Sequence, residues 1–266
     1  MNNVDEVVAA IVSDPARAAV ALDFDGTLAP IVERPEAARA VSGAPDVLRR
    51  LAARLGGLAL VSGRPAADVV RFADVAEVPR IRVLGHYGLQ SWRDGRLESP
   101  PPDPAIDVVR DRLPGLLAAA PDGVYVEDKQ HSLVVHTRPA ADPKTALVEL
   151  TPAMQALADE VGLEAVPGRY VLELRPPGVD KGGAVRQLVT EVGAAAVVYA
   201  GDDLGDVPAF RAVDQLRASG LAGLTVAVAA AADVDAPAAL REQADLVLDS
   251  PAALVAWLSE LADQLD

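Results

Sequence analysis

The sequence predicts an α/β protein, a parallel sheet covered on both faces by helices, with a smaller α+β unit inserted into it. Three observations predict this. Wholly apolar runs at 19–22, 58–61 and 196–200 have the length and composition of strands buried on both faces. Helical patterns separate those runs, as in successive βαβ units. Two proline-rich stretches, at 99–104 and 175–178, bracket a segment that reads helix-strand-strand-helix-strand-strand. The expected division is a first core part at 1–102, the inserted unit at 103–175 and a second core part at 176–266.

Composition narrows the function classes. At 266 residues, half of them hydrophobic, the chain has material for one large domain or two modest ones. Its 24 Lys and Arg face 39 Asp and Glu, a net charge of −15. That balance argues against a nucleic-acid or anionic-membrane partner, which would need a basic face. The absence of cysteine excludes disulfides, thiol catalysis and Cys-ligated zinc. A reducing, cytoplasmic location is the expectation. Asp5 and Glu6 stand where a signal peptide would carry basic residues, and no apolar run approaches the ~20 residues needed to cross a bilayer. A monomer or weak homo-oligomer acting on a small molecule is expected, and no internal repeat is visible.

Taken in order, residues 4–12 read as a short amphipathic helix. The strand at 19–22 ends in Asp23-Phe24-Asp25-Gly26-Thr27. A loop at 31–40 leads to a helix at 46–55, where Val47, Leu48, Leu51 and Leu55 form one face and Gly56-Gly57 the stop. The strand at 58–61 ends in Ser62-Gly63-Arg64-Pro65, and Pro65 suits a first helical turn. A strand at 82–84 leads into Gly85-His86-Tyr87-Gly88-Leu89-Gln90, and Asp94-Gly95 signals a hairpin. The inserted unit is read as a helix at 105–118, strands at 123–128 and 131–138, a helix at 142–160 kinked by Pro152, and strands at 163–166 and 170–175. The core resumes at Val179-Asp180-Lys181-Gly182-Gly183-Ala184. The strand at 196–200 ends in Gly201-Asp202-Asp203-Leu204-Gly205-Asp206. Segments 224–229, 244–248 and the helix 251–265 complete and cover the sheet.

The strand ends carry the chemistry. Residues i and i+2 of a strand share a face, so Asp23 and Asp25 converge on one volume. That volume lies outside the carboxyl ends of the strands, where open parallel sheets bind ligands. Adjacent carboxylates repel and need a cation or a shared proton. A hard cation such as Mg2+ takes oxygen ligands and commonly holds substrate phosphate as well. Gly26 gives the backbone freedom there, and Thr27 offers a hydroxyl and an N–H to an anion. The Ser62 hydroxyl, at a strand end before a helix start, suits a phosphoryl oxygen. Lys181, at another helix start, places an ammonium beside a phosphate. Asp202, Asp203 and Asp206, three carboxylates within five residues, are the strongest metal signal.

These four segments resemble the four motifs of the haloacid-dehalogenase-like (HAD) phosphohydrolases. The resemblance implies a Rossmannoid core with an inserted αββαββ cap of the larger C2 type. It implies Asp23 as nucleophile through an aspartyl-phosphate, Asp25 as general acid/base, and Ser62 and Lys181 on the phosphoryl oxygens. Mg2+ would be held by Asp23, the backbone carbonyl of Asp25 and Asp202, with Asp203 acting through water and Asp206 behind the ligands. Gly26 and Thr27 would face the phosphate, and Arg64 is read as substrate-binding or structural. Within that superfamily the chain resembles the trehalose-6-phosphate phosphatases. The carrying segments are Glu127-Asp128-Lys129, Val134-Val135-His136-Thr137-Arg138 and Gly168-Arg169-Tyr170-Val171-Leu172-Glu173-Leu174-Arg175-Pro176. Glu127, Lys129, Arg138, Arg169 and Glu173 are accordingly expected to contact sugar or phosphate, since directed hydrogen bonds read a disaccharide's hydroxyls. The implied substrate is trehalose 6-phosphate. The chain departs from the family pattern at Tyr87, Gln90, Gly205 and Val207. Two alternatives stay open: a phosphatase for another sugar or polyol phosphate, such as sucrose or glucosylglycerol phosphate, and a non-catalytic sugar-phosphate-binding regulator.

Overall fold

The computed structural model of the chain describes residues 3–32, 34–168, 170–229 and 238–266. The chain divides into two compact units, Met1–Ser99 with Asp180–Asp266, and Pro100–Val179. The changeovers fall beside the prolines at 100–102 and 176–177, against 102/103 and 175/176 in the sequence reading.

The larger unit opens with helix α1 (Asn3–Ser13) and strand β1 (Ala18–Leu22), followed by α2 (Ala44–Arg54), β2 (Gly57–Val61), α3 (Ala66–Ala73) and β3 (Arg82–Gly85). The hairpin strands β4 (Gln90–Arg93) and β5 (Arg96–Glu98) turn at Asp94-Gly95, both in positive φ as that tight turn requires. The smaller unit contributes α4 (Pro104–Leu116), β6 (Tyr125–Asp128), β7 (Leu133–His136), α5 (Pro143–Val161), β8 (Glu164–Gly168) and β9 (Val171–Arg175). The larger unit resumes with α6 (Lys181–Val192), β10 (Ala196–Gly201), α7 (Val207–Ala218), β11 (Ala222–Val228), α8 (Ala238–Gln243), β12 (Leu246–Leu248) and α9 (Pro251–Leu265).

The eight-stranded sheet runs β12-β11-β10-β1-β2-β3-β4-β5, parallel from β12 to β3 and antiparallel through the hairpin. Burial explains why β1 and β2 are wholly apolar. Ala18, Val20 and Leu22 join a core with residues of α1, α2, α3 and α9. Ala19 and Ala21 join a second core with residues of α6 and α7. Both faces of each central strand are therefore buried, as in a sheet layered between helices. The chain crosses from β3 through the hairpin and the smaller unit before it returns to β10, which lies beside β1. That non-local pairing, Ala18 to Leu22 against Ala196 to Ala200, places the ends of β1 and β10 side by side.

In the smaller unit a four-stranded antiparallel sheet is ordered β6-β7-β9-β8. Leu133, Val135, Leu172 and Leu174 face Ile106 and Val109 of α4 and Met154 and Leu157 of α5 in a core of their own. Pro152, read as a kink, lies inside one continuous helix; it removes one backbone donor from the middle of the 19-residue α5. Among the described residues no helix is long and apolar enough to cross a membrane.

Candidate active site

The carboxyl ends of β1, β2 and β10 meet the amino end of α6, and four segments distant in sequence become neighbours. Asp23 follows β1 directly, and its N–H donates to the Ala200 carbonyl of β10 at 2.9 Å. Asp202 and Asp206 follow β10. One carboxylate oxygen from each of Asp23, Asp202 and Asp206 lies within 4.8 Å of the others. Lys181 is the first residue of α6, whose cap is Asp180 accepting the Gly183 N–H at 2.7 Å. Its buried ammonium sits 2.8 Å from Asp23 Oδ1 and 2.7 Å from Asp206 Oδ1.

Asp206 is the post around which this end of the site is built. Its Oδ2 accepts the amides of Asp202 and Asp203, at 2.9 and 3.0 Å. Its Oδ1 accepts from Lys181 at 2.7 Å and from the Tyr199 hydroxyl at 2.6 Å. Four donors fill a carboxylate's acceptor positions, so Asp206 fixes the loop and the lysine. Gly201 makes room for it: a Cβ there would fall 2.2 Å from Asp206 Cγ. Tyr199 had no place in the sequence reading. Its signal is a single hydroxyl in an otherwise apolar strand, which needs a partner once buried.

The residues after β1 are used differently from the expectation. Gly26 has φ +80° and donates its amide to the Ala29 carbonyl at 2.7 Å, not outward to an anion. A Cβ on Gly26 would lie 2.0 Å from Asp202 Oδ2, so glycine is what lets the two loops approach. The buried Thr27 hydroxyl donates to Asp202 Oδ1 at 3.1 Å and orients that carboxylate from behind. Arg64, read as substrate-binding or structural, is paired with Asp25: Nε to Oδ2 at 2.6 Å and Nη2 to Oδ1 at 2.7 Å. The carboxylate of Asp25 is thus outside the acidic cluster. Asp203 also turns elsewhere, its Oδ1 accepting the Gly205 amide at 2.8 Å. Ser62 is buried at the end of β2, and its Oγ accepts the Arg64 N–H at 3.1 Å. Gln90, one of the departures from the family pattern, accepts the Ala66 amide at 3.0 Å and so braces the start of α3.

Three acidic side chains, the buried Asp23 and Asp206 and the half-buried Asp202, gather around one buried ammonium with Asp203 close by, and leave an excess of negative charge. Burial, and then the Lys181 charge opposing it with Asp206 and Asp203 reinforcing it, leaves the Asp23 carboxyl pushed up to about 8. Burial and then the Asp23 and Asp206 charges push Asp202 up to about 10. Burial alone would lower Lys181, but Asp206 and Asp23 outweigh it and hold it well above its ordinary value. An all-oxygen donor set that resists its own ionisation is the chemistry of a divalent-cation site. Of the three carboxylates that converge, Asp206 is filled by its four donors, and Asp23 and Asp202 keep acceptor capacity for an ion.

Linkage gives this a measurable sign. A carboxyl raised in the folded chain keeps a proton that the unfolded chain has released, so stability falls as pH rises toward the folded pKa. Between about pH 7 and about pH 9 the carboxyls lowered by folding, such as Asp128 and Asp245, are ionised in both states, and Lys181 is charged in both. The melting temperature in chelator is therefore expected to fall across that window. A divalent cation is expected to raise it, and to raise it most at the alkaline end. A chelated protein whose stability climbs from pH 7 to 9 would contradict the buried-charge account.

In the smaller unit, Glu127 of β6 and Glu173 of β9 stand on one rung, Glu127–Val134–Glu173, on the face away from the apolar core of α4 and α5. Glu127 is hydrogen-bonded to His136 at 2.9 Å, and His136 stacks on Tyr125 with ring centroids 4.6 Å apart. Glu173 is buried and accepts from the Ser132 hydroxyl at 2.6 Å. Lys129 lies in the turn after β6, and Arg138 is exposed in the turn after β7. Arg169 lies outside the described residues.

Comparison with known proteins follows the same lines. A family model described as trehalose-phosphatase matches residues 21–244. A trehalose-phosphate phosphatase of Mycobacterium avium (strain 104) is 37% identical over 260 residues, covering 93% of this chain and 63% of that protein. The chain thus spans somewhat under two thirds of the length of the trehalose-phosphate phosphatases it matches, and 18% of a glycosyl hydrolase of Mycobacterium tuberculosis that is 36% identical to it. Among solved structures, the C-terminal domain of Candida albicans trehalose-6-phosphate phosphatase is similar with a TM-score of 0.79 at 20% identity, covering 99% of this chain and 97% of that one. A haloacid dehalogenase-like hydrolase from Bacteroides thetaiotaomicron is similar with a TM-score of 0.67 at 15% identity, covering 92% and 99%. These two likenesses show the fold: a HAD-like α/β core together with a separate antiparallel sheet.

Proposed function

The chain belongs to the trehalose-phosphatase family, and from that premise we propose that it is a Mg2+-dependent phosphatase that hydrolyses trehalose 6-phosphate to trehalose and phosphate. The observation that carries the proposal is the meeting of Asp23 and Asp202, from distant segments, within 4.8 Å and beside the buried Lys181.

Asp23 attacks phosphorus through a carboxylate oxygen while the sugar oxygen departs, leaving an aspartyl-phosphate. A carboxylate nucleophile divides one difficult hydrolysis into two displacements. Asp25 gives its proton to the departing alkoxide, then takes one from the water that attacks the aspartyl-phosphate, so the carboxylic acid is restored at the end of the cycle. Lys181 stabilises charge on the transferred group, and the Ser62 hydroxyl and nearby backbone amides hold its oxygens. Asp23 and Asp202 would hold Mg2+, with Thr27 and Asp206 fixing the loop that carries Asp202. Bound there, the ion neutralises charge on the phosphoryl oxygens and lets Asp23 act ionised. In the smaller unit, Glu127, Lys129, Arg138 and Glu173 are the proposed sugar contacts, with Arg169 proposed on sequence alone.

A phosphate-release assay of the purified chain with Mg2+ against a panel of sugar and polyol phosphates tests the substrate assignment. Trehalose 6-phosphate is expected to give the largest kcat/KM. A clear preference for sucrose phosphate or glucosylglycerol phosphate would displace it, and no release from any ester in the presence of Mg2+ would favour a binding protein. Full activity in excess chelator would remove the ion from the reaction.

A further inference from the structure

We infer that Arg64 is a positioning residue for the proton-handling carboxylate: its guanidinium, on a backbone tied at both ends and beside two buried aromatic rings, sets the direction of Asp25 through a side-on pair. The inference rests on the phosphatase reading above and concerns a residue that this reading leaves without a role.

The geometry is specific. Asp25 sits on a turn, between Phe24 and a glycine in positive φ, where the backbone alone constrains its side chain little. Among the described residues, the partner of its carboxylate is Arg64, which takes both oxygens at once, at 2.6 and 2.7 Å. A side-on fork fixes a carboxylate in direction and in rotation about its axis, which one ammonium cannot do. The fork lies beside two rings. Its central carbon is 5.4 Å from the ring centre of Phe72, on α3, which Arg71 and Arg39 also approach at 4.5 and 4.9 Å, and 6.0 Å from that of Phe24. Both rings are buried. The Arg64 backbone is tied at both ends, its N–H to Ser62 Oγ at 3.1 Å and its carbonyl to the His86 amide at 3.0 Å. The segment that offers Ser62 to the phosphate therefore also aims Asp25. The pair is only partly exposed, with side chains 19% and 32% accessible, so it is more than a solvated surface bridge.

The chemical consequence concerns the alkoxide. A sugar oxygen is a poor leaving group and departs only with a proton delivered to it, so the acid must stand within hydrogen-bond reach and point the right way. When Asp25 carries that proton, one oxygen must leave the fork while the other stays bound to Arg64. Rotation is then limited to one pivot, and the proton is presented from a fixed position. Arg64 keeps its own protons throughout.

The test compares two ester classes in the chain of 266 residues carrying Arg64→Ala, Arg64→Gln or Arg64→Lys. On the sugar phosphate, kcat is expected to fall about 10²-fold in Arg64→Ala, the scale of a misplaced general acid. KM should stay within about threefold, because substrate binding is untouched. On p-nitrophenyl phosphate, whose phenolate departs unprotonated, the first-turnover burst of p-nitrophenol should slow by less than about fivefold, while later turnovers slow because Asp25 also activates the water of the second step. Arg64→Lys should recover only part of the activity, since an ammonium makes a single-point contact. Equal slowing of the first turnover on both esters would mark a structural residue, and a raised KM at unchanged kcat a substrate-binding one; either overturns the inference. A crystal structure of Arg64→Gln decides independently of turnover. Asp25 turned away from its wild-type direction is expected, and Asp25 unmoved overturns the inference even if the chain proves not to be a phosphatase.

Discussion

Asp23→Asn is expected to abolish phosphate release, by about 10⁴-fold or more, the scale at which removing a covalent nucleophile is felt. The reason is chemical. The amide oxygen of Asn is a poor nucleophile, and an attack through it would not regenerate the starting residue. Shape is preserved, and the surroundings remain satisfied: Lys181 keeps its 2.7 Å contact with Asp206, and the residue-23 amide keeps its bond to Ala200. Circular dichroism and thermal unfolding should therefore report a folded protein. Mass spectrometry after brief exposure of the native enzyme to substrate should show phosphate on the peptide carrying Asp23, and no such adduct in Asp23→Asn. A variant that retained wild-type turnover would end the assignment of Asp23 as nucleophile.

Asp202→Asn should separate stability from activity. In the metal-free protein this carboxyl is held up to about 10 by burial and by the neighbouring Asp23 and Asp206 charges, so ionising it costs folding energy near neutral pH. The isosteric amide removes that charge and can still accept from the Thr27 hydroxyl, now 3.1 Å from Oδ1. In chelator the variant should melt several degrees above the native chain, since about 1 kcal/mol corresponds to roughly 2–4 °C at this size. Adding Mg2+ should stabilise the native chain and leave the variant nearly unmoved. Turnover should fall about 10²–10⁴-fold, the equivalent of several kcal/mol of charge stabilisation at the phosphoryl group. A variant with unchanged Mg2+-dependent stabilisation would move the ion elsewhere. The pair of results matters more than either alone, because a simple packing defect would lower stability and activity together.

Much of the core was legible because its local signals agree. β1, β2 and β10 were readable as apolar runs buried on both faces, and the expected ends of those runs lie within a residue or two of the observed strands. The hairpin at Asp94-Gly95 announced itself through turn chemistry, and α6 through the cap at Asp180. The acidic side chains at 23 and 202 were visible as costly groups placed directly after apolar strands. What escaped was the use each side chain makes of its neighbours. Thr27 and Gly26 offered themselves as anion ligands, yet the Thr27 hydroxyl and the space left at Gly26 both serve Asp202, which is 175 residues beyond Thr27. Arg64 next to Ser62 looked available to substrate, and its fork is on Asp25. Tyr199 read as one more strand residue, although its hydroxyl completes the set of donors around Asp206.

The sequence by itself determined which segments become buried strands and which residues, several of them acidic, stand at their carboxyl ends. Periodicity, turn residues and charge are properties of short stretches, so a linear reading recovers them. Only the tertiary structure decided which of those ends touch. The order β10-β1-β2 sets Asp202 beside Asp23 on one side and Ser62 beside it on the other, and a strand order is the outcome of pairing across the whole chain. Hydrogen-bond partners follow from that order: a carboxylate accepts whichever donor packing brings within about 3 Å, and the donors of Asp25, Asp202 and Asp206 arrive from strands and helices that the local sequence around each aspartate does not contain.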